Sequence, residues 1–379
     1  MKKSRFLYCS ALRMKAGELN GVRELAEDVA DCTLPRFIVP PPEERDENQY
    51  ELFVTDNVPD VGAVLAPYWY GRPALIDATY LLDECGRAQT LEWLPQMFVR
   101  ARRSGVRAVP VAMLGDIGAT ESAGFRAAID PNYPLKFAVV VSSDEMIGSA
   151  FLIDLASALE RVGVAAHECA VIADFHTADF SDPALVAPVI NGALELLQEF
   201  APWQYVIFQG THYPEKNPAA PGLISPWPRN EWLAWKLAVK FDPSTADSMM
   251  FGDYAADCAK MSFGGSGGAA IKHYRYTTEN EWLIVRGSKT GTDRVVMQAV
   301  CQTIVDSGRF AGPGFSSADA YIYRTAKNQD GPGNSTTWRQ VNTTHHITQV
   351  VTDLGQVRGV RIAGRAFEAA GQQISLIDV

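Results

Sequence analysis

Acidic side chains stand at or beside the ends of three apolar runs that the sequence predicts as β-strands. These residues are Asp77, Asp174 and Asp253, and His176 follows Asp174 by two positions. Two nearby carboxylates can act as acid and base or, with water, can hold Mg²⁺, which prefers oxygen ligands. We therefore consider the three aspartates as catalytic groups or metal ligands, and His176 as an acid or base. The alternative for each aspartate is a helix cap or an ion pair with a neighbouring Arg or Lys.

Polar and basic residues near the same strand ends could bind a ligand. Guanidinium groups suit phosphate and carboxylate because their N–H groups form a fork that matches two oxygens. Arg275 and Lys15 are candidates for an anion clamp, and Arg13 lies close to Lys15 in the sequence. The other ligand-binding candidates are charged or polar residues beside predicted strand ends or helix starts: Glu18, Gln209, Arg229 and Trp338.

A glycine-rich segment, residues 264–268 (Gly-Gly-Ser-Gly-Gly), lies between Lys260 and Lys272. Its backbone N–H groups could surround an anion. The segment lacks the Gly-Lys-Ser/Thr ending of a P-loop and the spacing of a dinucleotide-binding motif. A flexible connector is the favoured interpretation.

Two adjacent histidines, His345 and His346, are also ligand-binding candidates. On a regular helix they would point about 100° apart, so they would not chelate one metal together. One of them could donate a proton or pair with a carboxylate at the strand ends. Alternatively, these polar residues satisfy backbone groups at the start of a helix.

Short apolar runs alternate with longer segments of helical periodicity, the pattern of a parallel sheet built from βα units. The predicted helices cover residues 18–29, 91–102, 151–162, 184–200 and 230–241. The predicted strands number eight, at residues 5–11, 34–39, 74–78, 108–114, 137–142, 169–174, 204–208 and 248–252. Eight such units predict an α/β fold of the TIM-like (β/α)8 barrel class, in which residues at the carboxyl ends of the strands converge on one rim.

The pattern changes after the eighth strand. Two short strands, residues 272–276 and 282–286, predict a β-hairpin, and helical patterns follow at residues 293–307, 317–326 and 336–353. We predict one domain over residues 1–379. Residues 1–262 supply the eight βα units, and residues 263–379 form an extension that caps the rim. Residues 357–379 could add a small strand pair, and residues 40–73 are predicted as a loop over the rim that carries an aromatic cluster at Trp69.

Composition restricts the class of protein. The 379 residues carry a formal net charge of −10, which argues against non-specific nucleic-acid binding. No apolar run reaches the roughly 18 residues of a membrane span, and the N-terminal apolar stretch is too short for a signal peptide. We therefore expect a soluble cytoplasmic protein. The six cysteines are scattered with no Cys-x-x-Cys pair, so we expect reduced thiols.

Blocks of sequence over nearly the whole chain are similar to those of one family. They are residues 11–18 (Ala-Leu-Arg-Met-Lys-Ala-Gly-Glu), 35–41 (Pro-Arg-Phe-Ile-Val-Pro-Pro), 174–182, 208–210, 229–232 (Arg-Asn-Glu-Trp), 251–254 (Phe-Gly-Asp-Tyr) and 343–346 (Thr-Thr-His-His). The chain thus resembles the phage-type beta protein family. The resemblance implies a barrel protein of bacteria and phages, often encoded near mobile or defence-related genes, with no established reaction or catalytic residues. Residues 8–11 (Tyr-Cys-Ser-Ala) depart from the family pattern, which contains more proline there.

Three functions remain open from the sequence. The first is an enzyme, such as a metal-dependent hydrolase using Mg²⁺, that acts on a phosphate-bearing or nucleotide-like ligand in a phage-defence or mobile-element setting. The second is a non-catalytic binding or sensor protein that recognises a phage or toxin partner through the segment around Trp69 and the extension. The third is a glycoside hydrolase that uses two carboxylates.

Overall fold

The computed structural model describes residues 6–41, 45, 58–259 and 271–362. Eight parallel strands pair in chain order, and the last pairs with the first to close a barrel. They are β1 (Tyr8–Arg13), β2 (Arg36–Ile38), β3 (Pro73–Asp77), β4 (Arg107–Met113), β5 (Phe137–Ser142), β6 (Cys169–Asp174), β7 (Tyr205–Gln209) and β9 (Met249–Asp253). The predicted (β/α)8 barrel is confirmed, and every predicted strand overlaps a strand of the barrel.

The barrel strands are apolar on both faces because they separate two hydrophobic cores. Leu75, Val109 and Ile207 belong to the cluster that fills the barrel interior. Ile76 and Val139, which alternate with such residues, belong to the cluster between the strands and the surrounding helices. This double burial explains why the strands read as continuous apolar runs.

Helices surround the barrel and extend beyond it. Those of the barrel region are α1 (Ala16–Arg23), α2 (Glu27–Asp31), α3 (Val61–Trp69), α4 (Thr79–Glu84), α5 (Thr90–Arg103), α6 (Ala119–Ala128), α7 (Ser143–Met146), α8 (Phe151–Val162), α9 (Pro183–Phe200), α10 (Asn230–Phe241) and α11 (Thr245–Ser248). Those after β9 are α12 (Asp293–Asp306), α13 (Ser317–Ala326) and α14 (Ser335–Arg358). None of the helices in the described ranges has the length and apolar character needed to cross a membrane.

Two predictions for the barrel region are wrong in part. The helix expected over residues 18–29 is broken into α1 and α2, because Ala26 has an extended backbone between them. Residues 61–69 of the expected loop form α3, which begins where the Asp60 carboxylate accepts a hydrogen bond from the Ala63 N–H at 2.9 Å. Residues 42–44 and 46–57 of that loop lie outside the described residues.

A second, smaller sheet stands beside the barrel. The predicted hairpin is confirmed as β10 (His273–Thr277) and β11 (Glu281–Arg286), which pair antiparallel. A third strand, β8 (Ile224–Pro228), was not predicted and pairs with β11. β8 comes from the connection between β7 and α10, and its prolines are tolerated because it lies at the edge of the sheet.

Helix α14 joins the extension to the barrel. Its first half contributes Trp338 and Val341 to a core shared with β10, β11, α12 and α13. Its second half contributes Val350 and Leu354 to the core around the barrel. The last helix of the extension is therefore also part of the helical layer that surrounds the barrel. Residues 363–379, which include most of the predicted terminal strand pair, lie outside the described residues.

Candidate functional site

A cavity of about 220 Å³ lies at the carboxyl end of the barrel, between the end of β1 and the turn after β9. We call it the arginine pocket because guanidinium groups dominate its wall. Its charged lining residues are Arg13, Arg275 and Arg339 together with Glu18, Asp257 and Glu215. Parallel strands direct their carboxyl ends to the same rim, and this is the end at which sites form in such barrels.

Separate elements supply the three arginines. Arg13 is the last residue of β1, Arg275 is in the middle of β10, and Arg339 is in the second turn of α14. The hairpin and α14 must therefore pack on the barrel before the pocket is complete. Lys15, predicted as part of an anion clamp, stands at the start of α1 and is not among the described residues that line the pocket.

The carboxylate of Asp257 holds the three arginines together. Its Oδ2 accepts hydrogen bonds from Arg13 Nη2 at 2.9 Å and from Arg339 Nη1 at 2.7 Å, and its Oδ1 lies 2.9 Å from Arg275 Nη1. Burial alone would raise the pKa of Asp257, but the three guanidinium charges hold that pKa well below its usual range. Asp257 is thus a permanent anion that orients the arginines.

Some hydrogen-bonding capacity in the pocket is unused. Arg275 is fixed by stacking over the Tyr213 ring at 4.6 Å and by an Nε bond to His273 at 3.2 Å. Within the described ranges, the Nη2 groups of Arg275 and Arg339 have no hydrogen-bond partner, and the two side chains are 14% and 22% exposed. These two groups can donate to a ligand that enters the pocket.

The turn that carries Asp257 has an unusual backbone. Ala255 and Ala256 have φ values of 49° and 58°, the left-handed region that costs a residue with a side chain about 1 kcal/mol or more. The Ala255 N–H donates to Asp253 Oδ1 at 2.8 Å, which helps to hold this conformation. The turn places Tyr254 on one side and Asp257 on the other, so one strained segment shapes two cavities.

The second cavity, of about 140 Å³, shares Tyr254 with the arginine pocket. We call it the histidine pocket. Asp174 and His176 after β6 line it, as do Arg36 and Asp77. The guanidinium of Arg36 donates to Asp77 Oδ2 through Nη2 at 2.7 Å and through Nε at 3.0 Å, and its Nη1 lies 3.7 Å from Asp174.

Asp174 connects the polar groups of the histidine pocket. The Tyr254 hydroxyl donates to it at 2.9 Å, and His176 Nδ1 lies 3.5 Å from its Oδ1. This pairing raises the pKa of His176 above its ordinary value. Burial and the Asp174 charge raise the pKa of Tyr254, so its hydroxyl stays protonated. His176, 44% exposed, is the group of this pocket best placed to exchange a proton with a ligand.

Asp253 makes structural contacts, and its role as a catalytic group or metal ligand stays a prediction. It is buried and accepts hydrogen bonds from the Tyr8 hydroxyl and from His346 Nε2, the latter at 2.9 Å. Burial alone would raise its pKa, but the interactions with His346, Tyr8 and the Ala255 N–H lower it. His346 Nδ1 in turn accepts from the Thr277 hydroxyl at 2.8 Å. This buried chain of hydrogen bonds ties the barrel to the hairpin, and its members are not among the described residues that line the arginine pocket or the histidine pocket.

His345 is buried in the extension and also serves the structure. Its Nε2 lies 2.7 Å from the Thr277 carbonyl oxygen and its Nδ1 lies 3.0 Å from Asp319 Oδ2. His345 and His346 are both buried and hydrogen-bonded to protein groups, so their predicted role as ligand-binding residues at the rim stays a prediction.

Three more predicted ligand-binding residues lie in the interior. Gln209 is buried and donates to the Asp253 carbonyl oxygen at 2.6 Å. Arg229 is buried and donates to Asp353 at 3.1 Å and to the Thr278 carbonyl oxygen at 2.8 Å. Trp338 packs in the core of the extension, and its indole N–H donates to the Pro332 carbonyl oxygen at 2.8 Å. Of the three, Arg229 links the barrel region to the extension, whereas Gln209 bonds within the barrel and Trp338 within the extension.

The predicted metal site is also corrected. Within the described ranges, no three His, Cys, Asp or Glu side chains are arranged to hold a metal ion. Asp77 and Asp174 face Arg36, whereas Asp253 faces Tyr8 and His346. Each of the three carboxylates is hydrogen-bonded or ion-paired to protein groups, and Asp77 and Asp174 share the one guanidinium of Arg36. Lys260 and residues 264–268 lie outside the described residues.

Trp69 itself is not on the surface of the segment that was predicted to recognise a partner, whereas its neighbour Tyr70 is 71% exposed. Trp69 ends α3, is 1% exposed, and donates its indole N–H to the Pro73 carbonyl oxygen at 2.8 Å. It packs in the core between the strands and the surrounding helices, and the predicted partner surface of this segment stays a prediction.

The two cavities are lined in part by residues that are not among the predicted site residues: Arg36, Tyr254, Asp257 and Arg339. Arg36 had a visible signal, since a charge inside an otherwise apolar strand must meet a buried partner. Asp257 and Arg339 are separated by 82 positions, and only the packing of α14 brings them together.

The geometry defines a (β/α)8 barrel protein with two adjoining polar cavities at the carboxyl rim, completed by a hairpin and a long helix. The chain belongs to the Beta protein family, whose model matches residues 8–352. No curated protein is similar enough to the chain to count as a match.

Proposed function

We propose that the protein is an enzyme that acts on a small phosphate-bearing molecule at the carboxyl rim of the barrel. The convergence of Arg13, Arg275 and Arg339 on one cavity carries the proposal. Guanidinium forks recognise phosphate oxygens through paired, charge-assisted hydrogen bonds. Asp257 fixes the arginines before the ligand arrives, which reduces the entropy lost on binding.

The histidine pocket supplies the proposed chemistry. A ligand whose phosphate occupies the arginine pocket would extend past Tyr254 toward His176, because Tyr254 lines both cavities. His176 would transfer a proton to or from the ligand, and Asp174 would orient the ring and support its charged form. Asp77 would position the site through Arg36.

Turnover of a panel of phosphomonoesters tests this assignment, with binding measured in parallel. We expect His176→Gln to keep the affinity for a processed compound and to lower its turnover by about 10² to 10⁴-fold, the usual contribution of an acid or base. Turnover equal to that of the wild type would contradict the role of His176. If the wild type binds phosphomonoesters but processes none, the non-catalytic binding protein replaces the enzyme.

Two parts of the sequence-based hypothesis stay predictions. They are the setting in phage defence or mobile elements and the location in the cytoplasm.

A further inference from the structure

Glu18 presents an acceptor to the arginine pocket. It is in the first turn of α1, its side chain is 6% exposed, and its Oε1 lies 3.3 Å from Arg13 Nε and 3.6 Å from Arg339 Nε. Its Oε2 has no hydrogen-bond partner within the described ranges. A ligand in the pocket can therefore meet a carboxylate oxygen as well as guanidinium groups.

The charge of the pocket argues against a simple dianion as its best ligand. Arg13, Arg275 and Arg339 bring three positive charges, and Asp257 and Glu18 remove two of them. One net positive charge remains among these five groups, and Glu215 is a further carboxylate in the wall. With Glu215 counted, the six groups sum to zero, so a phosphate dianion would leave two net negative charges in the pocket, whereas a phosphate ester that also carries an ammonium group would leave one.

We propose that the ligand combines a phosphate with a protonated amine, the phosphate bound by Arg275 and Arg339 and the amine by Glu18. The proposal rests on the proposed anion site and names the class of ligand for it. A hydroxyl group could also donate a hydrogen bond to Glu18. An ammonium group would in addition neutralise the negative charge of this enclosed carboxylate, which a hydroxyl cannot do.

Isothermal titration of the wild type with four probes tests the proposal. They are inorganic phosphate, glycerol 3-phosphate, phosphoethanolamine and N-acetyl-phosphoethanolamine. We expect phosphoethanolamine to bind at least about tenfold more tightly than the other three, as one additional charged hydrogen bond allows. Equal affinities for phosphoethanolamine and its N-acetyl form would overturn the proposal, and this comparison needs no variant.

Substitution of Glu18 gives a second test. Glu18→Gln should remove the preference for phosphoethanolamine while phosphate binds as well as before or better, because a carboxylate near the arginines is lost. Glu92→Gln, at an exposed position of α5, is the matched control and should keep the preference. A preference that survives Glu18→Gln would contradict the proposed amine site. Failure of inorganic phosphate and of every ester to bind would instead refute the anion site itself.

Discussion

Glu231 and Asp257 are both enclosed carboxylates, yet their pKa values shift in opposite directions. Three guanidinium groups surround Asp257 and keep it ionised. Glu231 is buried, one oxygen accepts the His212 N–H at 3.0 Å, and the other has no partner within the described ranges. Burial therefore dominates and raises the pKa of Glu231 to about 8, although the Arg229 charge opposes the shift. The immediate surroundings of each carboxylate thus decide its charge: Asp257 in the arginine pocket stays ionised, whereas Glu231 in the interior keeps its proton at neutral pH.

The raised pKa of Glu231 predicts a pH dependence of stability. Between its ordinary pKa of about 4.3 and its folded pKa of about 8, the folded chain keeps a proton that the unfolded chain releases. The contribution of Glu231 to the free energy of unfolding should therefore fall as pH rises through this window. We expect Glu231→Gln to remove that fall. In thermal melts, the melting temperature of the variant should therefore rise relative to that of the wild type between pH 5 and pH 8. A constant difference between the two proteins over this range would contradict the assignment.

The buried pair of His345 and Asp319 predicts a large single-residue effect on stability. Asp319→Ala removes the hydrogen-bond partner of His345 Nδ1 and the acceptors for the hydroxyls of Tyr276 and Ser316, all of them buried. We expect a loss of about 3–5 kcal/mol in the free energy of unfolding, measured by urea denaturation. Asp330→Ala breaks a half-exposed pair with Arg324 and should cost about 0–1 kcal/mol. Similar losses in the two variants would contradict a stabilising role for the buried hydrogen bonds of Asp319.

Helices α1 and α14 approach closely because two glycines of α1 face α14. A methyl group added at Gly17 would lie 2.6 Å from Arg339 Cβ, and one added at Gly21 would lie 2.7 Å from Thr343 Cβ. These contacts are too short for a side chain at either glycine. The packing of the two helices thus sets the position of Arg339 in the arginine pocket.

Alanine at these glycines gives an element-level prediction. Gly21→Ala should lower the free energy of unfolding by about 1–3 kcal/mol, the typical cost of overpacking. Gly192→Ala in α9 is the control, since no atom lies within 4 Å of its added methyl, and it should stabilise the helix by up to about 1 kcal/mol. Thermal and urea unfolding measure both changes. Stabilisation by Gly21→Ala would contradict the close contact between α1 and α14.

The elements show what the sequence can predict. Strands buried on both faces, such as β5 and β6, form continuous apolar runs and are predicted from the sequence. The edge strand β8 is hidden because its exposure alternates and two prolines interrupt it. At the site, Glu18, Arg275 and His176 are predicted from the sequence. The site roles of Asp77, Asp253 and His346 stay predictions, and only the fold shows that their polar atoms are bonded to protein groups.

At the scale of the whole molecule, α14 should make unfolding cooperative. It contributes Val341 to the core of the extension and Val350 to the core around the barrel, and both are buried. We expect one transition in differential scanning calorimetry, and we expect Val341→Ala and Val350→Ala each to shift that whole transition to lower temperature. A separate early transition in Val341→Ala, with the main transition unchanged, would show that the extension unfolds independently.

The arginine pocket exists only in the complete molecule, since β1, the turn after β9, β10 and α14 each supply part of its charge. Isothermal titration with inorganic phosphate tests it most directly, using the wild type, Arg339→Ala and, as a control, Arg103→Ala at an exposed position of α5. We predict that Arg339→Ala weakens binding by about 10- to 100-fold, as expected for charged hydrogen bonds, and that Arg103→Ala binds as the wild type does. Equal affinity in all three proteins, or no binding by the wild type, would contradict an anion site at this rim.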